Sequence, residues 1–124
     1  MKKQQLNVLG MPLESCSTDP MTGYYRDGCC NTDEYDRGSH TVCAIVTEEF
    51  LLYSLRQGND LITARPEYQF PGLKPGDSWC LCARRWEEAE AAGCAPKVNL
   101  ASTNAKTLEL ISFETLKRYS VDIH

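Results

Sequence analysis

Several familiar signatures are missing from this 124-residue sequence, and each absence excludes a class of function. There is no Cys-x-x-Cys, the knuckle that turns a chain so that two thiolates meet on one zinc ion, although seven cysteines are present. No phosphate loop, dinucleotide fingerprint, serine-centred elbow or His-Glu-x-x-His occurs, which removes the commonest nucleotide, hydrolase and metalloprotease sites. Basic charge is short: 13 Lys and Arg against 17 Asp and Glu give a net charge of -4, which repels a phosphate backbone. The basic doublets Lys2-Lys3, Arg84-Arg85 and Lys117-Arg118 are isolated, with no glycine-aromatic platform for stacking bases, so no nucleic-acid partner is expected. Long apolar runs are absent too. Nothing approaches the roughly 18 residues of a spanning helix, and Leu6-Asn7-Val8-Leu9-Gly10 breaks off before a secretory leader forms. The expectation is a soluble, cytoplasmic chain with no membrane partner, its odd number of cysteines kept as thiols by a reducing cytosol.

What is present fits one domain over residues 1–124, large enough to bury about two thirds of its unfolded surface. Residues 10–40 carry turn formers at Asp19-Pro20, Thr22-Gly23, Asp27-Gly28 and Arg37-Gly38 without any sustained period, and read as a long irregular amino-terminal segment. Segments of this kind often carry function. Thr41 to Val46 is β-branched and apolar on both faces, as in a central strand, and Thr47 caps a helix that stops at Gly58. Proline keeps residues 59–77 largely out of helix, and Lys74-Pro75-Gly76-Asp77 forms a tight turn into a strand at 78–83. A helix from about Arg84 to Ala92 follows, then strands at Val98–Ala101 and Thr107–Ile111, then a helix capped by Ser112. This order predicts an α+β domain of two layers, with short helices packed on one face of a small sheet.

Sulfur gives the first candidate site. Cys80 and Cys82 sit two apart on a strand, and Cys29 and Cys30 are adjacent, so neither pair makes a convincing metal or disulfide site alone. A joint cluster of Cys29, Cys30, Cys43, Cys80 and Cys82 forms if the strands at 41–46 and 78–83 are neighbours and the loop folds over them. Zinc is the cofactor such a cluster would take. Buried cysteine behaving as a small hydrophobe is the bland alternative, and Cys16 and Cys94 read as bystanders. A second arrangement pairs Cys29 or Cys30 with His40 as a thiol nucleophile and its base, Asp36 or Asp60 orienting the imidazole. Arg26, Asp27, His40, Asp60 and Trp79 form a candidate polar pocket for a small molecule, although Arg26-Asp27 and Asn59-Asp60 also suit plain turn chemistry. The other histidine, His124, is terminal.

Taken together, Asn7-Val8-Leu9-Gly10, Arg26-Asp27-Gly28-Cys29-Cys30, His40 with Val42-Cys43, Glu49-Phe50-Leu51, Gly58-Asn59-Asp60-Leu61, Phe70-Pro71-Gly72-Leu73 and Trp79-Cys80-Leu81-Cys82 resemble the DUF2237 family of small, mostly bacterial proteins. The resemblance spans nearly the whole chain. It implies a two-layer α/β fold and no particular activity. Three functions stay open: a small-molecule or metal-binding module, a thiol-dependent enzyme, and a non-catalytic protein-interaction domain.

Overall fold

The computed structural model describes residues 4–122; Lys2-Lys3 and His124 lie outside them. Its centre is a three-stranded antiparallel sheet in the order β2-β1-β3, formed by β1 (His40–Ile45), β2 (Ser78–Cys82) and β3 (Lys97–Val98). Three short helices complete the α+β fold: α1 (Glu48–Arg56), α2 (Ala83–Ala91) and α3 (Phe113–Arg118).

Strand alternation sorts the sheet into two faces. Val42 and Ala44 of β1, with Trp79 and Leu81 of β2, join the main apolar core alongside Phe50 and Leu51 of α1, Trp86 and Ala89 of α2 and Leu116 of α3. The residues between them, Cys43 and Cys80, belong to a second buried cluster with Cys30. Helices therefore cover one face, and the amino-terminal segment covers sulfur on the other. Trp86 is fully buried; its indole N–H donates to the Pro96 carbonyl at 3.2 Å, and its ring meets Tyr119 edge-on at 5.1 Å.

Helix ends follow local chemistry. The Thr47 hydroxyl accepts the Phe50 amide at 3.1 Å, Glu48 and Glu49 occupy the positive end of α1, and Ser112 caps α3 through the Thr115 amide. No side chain caps α2, which begins directly where β2 ends.

Three sequence expectations need correction. The amino-terminal segment expected to be irregular is structured from residue 4 onward. Bridges join Leu6 to Pro12, Asn7 to Asn104 and Thr18 to Met21, and the Gln5 amide exchanges two hydrogen bonds with the Thr32 backbone. Of the strand expected at Val98–Ala101, only Lys97–Val98 pairs, and Leu100–Ser102 turns into a 3-10 helix. The strand expected at Thr107–Ile111 is instead a 3-10 helix, Ala105–Glu109. Asn104 starts it by accepting the Lys106 amide, and the buried Thr107 hydroxyl donates to Thr41 Oγ1 at 2.7 Å, two local bonds that outweigh β propensity.

Candidate functional site

Four sulfurs gather between the sheet and the segment that crosses it. Cys43 and Cys80 stand directly opposite each other on β1 and β2, and the amino-terminal segment supplies a partner to each, giving the disulfides Cys16–Cys43 and Cys30–Cys80. The ligand atoms of Cys16, Cys30 and Cys80 lie within 4.8 Å of one another, close enough to share a metal ion once reduced. This corrects the reading of the cysteines as thiols. Four are oxidised in pairs, and Cys16, expected to be a bystander, is a full member. Cys29, Cys82 and Cys94 are unpaired. The Cys80 amide donates to the buried Thr22 hydroxyl at 2.9 Å, which ties the segment to the far edge of β2.

The expected pairing of Cys30 with His40 does not survive this geometry. Cys30 is fully buried in a disulfide. Cys29 remains a thiol, and burial, and then the neighbouring Asp27 charge, push its pKa up.

Beside the disulfides opens a cleft of about 450 Å³, within the range of small-molecule sites. Arg26, His40, Asn59, Trp79, Cys82 and Arg85 are among the residues lining it, and no acidic side chain is among them. Arg26 is placed by a turn whose closing bond runs from its amide to the Gly23 carbonyl. Its own backbone is left-handed at φ 55°, and its guanidinium carbon lies 5.2 Å from the centre of the Trp79 ring. Gly23 has φ 105°, and a side chain there would strike the Cys29 carbonyl, so glycine is required for this loop path. Next to it, Tyr25 donates its hydroxyl to Asp33; that bond, with burial adding to it, raises the phenol to about 12 and keeps it a donor at neutral pH.

His40 begins β1 at the same cleft. Its Nδ1 lies 2.6 Å from Asp36 Oδ1, while Asp36 Oδ2 accepts the His40 backbone amide at 2.9 Å and the Thr32 hydroxyl at 2.8 Å. Asp36 is buried and His40 is half-exposed. A carboxylate fixed by two other donors holds the imidazole through Nδ1. Gly38 lies flush against the ring: a β-carbon there would come 2.7 Å from Cε1.

Of the sequence-derived pocket, Arg26, His40 and Trp79 meet at the cleft, whereas Asp27 and Asp60 stand outside its lining. Asp27 accepts the Cys29 amide and the Asn31 side chain. Asp60 accepts the amides of Ile62 and Thr63, and hydrogen bonds from Thr63 in particular hold its carboxyl below the ordinary value. Of the expected thiol cluster, Cys30, Cys43 and Cys80 come together, while Cys82 lines the cleft instead. Sequence reasoning missed Arg85, whose doublet with Arg84 resembles an ordinary solvated helix face. Of the two carboxylates expected to orient the imidazole, Asp36 contacts it and Asp60 closes its own turn.

No curated protein matches this chain. Residues 6–120, nearly its whole length, match the family described as "Uncharacterized protein conserved in bacteria (DUF2237)", so the chain belongs to the DUF2237 family.

Proposed function

We propose that the protein binds a small anionic molecule in the cleft beside the disulfides. One observation carries this reading: Arg26 and Arg85 line a cleft of about 450 Å³ whose lining holds no carboxylate, together with the Trp79 ring and a positioned imidazole, in a chain whose net charge is -4; Arg85 also meets Glu88 Oε1, outside the lining, at 3.5 Å. A concave site concentrates the field of its own cations whatever the sign of the whole surface, and Trp79 supplies the apolar wall. Inorganic phosphate is a suitable probe. It is expected to change Trp79 fluorescence saturably, and Arg26→Ala or Arg85→Ala is expected to weaken binding at least about tenfold, the value of one charge-assisted hydrogen bond. A response that does not saturate, or that ignores both arginines, removes the reading.

A second reading is supported by the proximity of the Cys16, Cys30 and Cys80 sulfurs. In a cytoplasmic, reducing setting, four electrons from a dithiol reductant and four protons convert the two disulfides into four thiols. Together with Cys43 these form a set suited to tetrahedral zinc, whose binding releases the thiol protons. Purified protein reduced and supplied with zinc is expected to retain about one ion per chain after desalting, and Cys80→Ala to retain none. Absence of retained zinc in the reduced wild type leaves the quartet as a structural clamp.

A further inference from the structure

Two sulfurs line the cleft, and they differ in chemistry. Cys80 is bonded to Cys30, whereas Cys82 is an unpaired, half-exposed thiol. Cys82 is also the cross-strand partner of His40. Opposed residues of an antiparallel pair lie side by side across the strands, and His40 and Cys82 both line the cleft. The register shifts between His40 and Val42, a bulge of the kind that re-aims side chains at the rim of a site. The imidazole is held from behind by Asp36 through Nδ1, with Gly38 flush against the ring. Residue 82 is, in addition, the N-cap of α2, and the Ala83 amide donates to the Ser39 carbonyl at 2.9 Å, which ties the start of the helix to the residue before His40.

We propose that Cys82 is a catalytic nucleophile for acyl transfer to water, with His40 as its acid and base, Asp36 as a positioning residue, and a small anionic ester or thioester as substrate. The proposal rests on the cleft being an anion site, since Arg26 and Arg85 hold the substrate's charged group. The Cys82 S–H proton passes to His40 Nε2 as sulfur bonds to the acyl carbon. The bond from that carbon to the leaving group breaks, and the leaving group departs with the proton from Nε2. Water then gives a proton to Nε2 while its oxygen attacks the thioester carbon. The C–S bond breaks, sulfur recovers the proton, and the free acid is released. Nothing is oxidised or reduced, and water is the sole co-reactant. Acylation requires Cys82 Sγ and His40 Nε2 to close to hydrogen-bond distance when substrate enters, with Asp36 orienting the base.

The test uses the full chain with its disulfides intact and 4-nitrophenyl hemisuccinate as an anionic ester, with 4-nitrophenyl acetate as the neutral comparison. A burst of nitrophenolate of about one equivalent per chain is expected with the anionic ester, and mass spectrometry is expected to place the succinyl group on Cys82. Cys82→Ala abolishes the burst, Cys94→Ala leaves it unchanged, and His40→Gln slows acylation by at least about a hundredfold. Asp36→Asn moves the pH at which acylation is half-maximal without changing phosphate affinity, a readout that loss of packing alone would not give. Should Asp36→Asn fail to fold, Gly38→Ala, which displaces the imidazole, serves the same purpose. Acylation at another cysteine, or acylation indifferent to His40, overturns the proposal. Phosphate binding with no acylation at all overturns it alone, and loss of phosphate binding overturns the anion reading beneath it.

Discussion

Asp122 reaches back over some twenty residues to accept the amides of Leu100 and Ala101, each at 2.9 Å, and so anchors the carboxyl-terminal stretch on the turn after β3. Burial alone would push its carboxyl up. Those two amides, with the Ser120 hydroxyl and its own backbone amide, prevail and hold it below the ordinary 3.8. A carboxyl whose folded pKa is depressed stabilises the native state fully above its unfolded value, and that contribution is lost as pH falls through the lower folded one. Asp122→Asn is therefore expected to cost about 1 kcal/mol at neutral pH, the modest value of partly exposed charged hydrogen bonds, and to flatten the decline in melting temperature between pH 4 and pH 2. Superimposable acid limbs for the two proteins would remove this role. Single residues of this kind are where sequence says least. Asp36, Asp60 and Asp122 share one side chain; one positions an imidazole, one closes a turn and one ties down a terminal stretch. The difference lies wholly in which amides and hydroxyls the fold brings to each carboxylate.

At the scale of elements, much more was legible. Thr47, Glu48, Glu49 and Gly58 announced α1, because capping and the left-handed stop are local interactions that need no tertiary partner. The strands at 41–46 and 78–83 were visible from their β-branched and apolar content, and their pairing placed Cys43 opposite Cys80. Residues 99–101 and 107–111 were misread as strand because their conformation depends on distant groups. The Asn99 amide donates to the Cys43 carbonyl and the Asn104 amide to Thr41, so the chain leaves the sheet in 3-10 turns while remaining fastened to β1. The threonine hydroxyls matter in the same way: Thr103 Oγ1 accepts the Cys43 amide, and Thr22 Oγ1 accepts the Cys80 amide. Backbone donors beside the two central cysteines are thus satisfied by side chains 58 and 60 residues away, a solution that periodicity cannot announce.

For the molecule as a whole, the amino-terminal segment and the sheet act as one unit because two covalent bonds join them. The bridged residues are separated by 27 positions for Cys16–Cys43 and 50 for Cys30–Cys80. Chain-entropy arguments assign such closures about 3.5 and about 4 kcal/mol. The two loops overlap in sequence, so the second bond constrains an already shortened chain and the pair contributes less than the sum. Each double substitution, Cys16→Ala with Cys43→Ala or Cys30→Ala with Cys80→Ala, is expected to lower stability to urea by about 2–4 kcal/mol. Their functional consequences should differ. Cys80 itself lines the cleft, and its bond to Cys30 holds down the loop whose Gly23–Arg26 turn carries a guanidinium over Trp79. Cys16–Cys43 lines no part of the cleft. Loss of Cys30–Cys80 is therefore expected to weaken phosphate binding about tenfold, while loss of Cys16–Cys43 leaves affinity within about twofold wherever the protein is still folded. Equal losses of affinity in the two variants would show that the cleft depends on global stability alone. A loss confined to the Cys30–Cys80 variant would show instead that this bond positions the arginine, so that the redox state of a buried sulfur pair sets the affinity of the adjoining anion cleft.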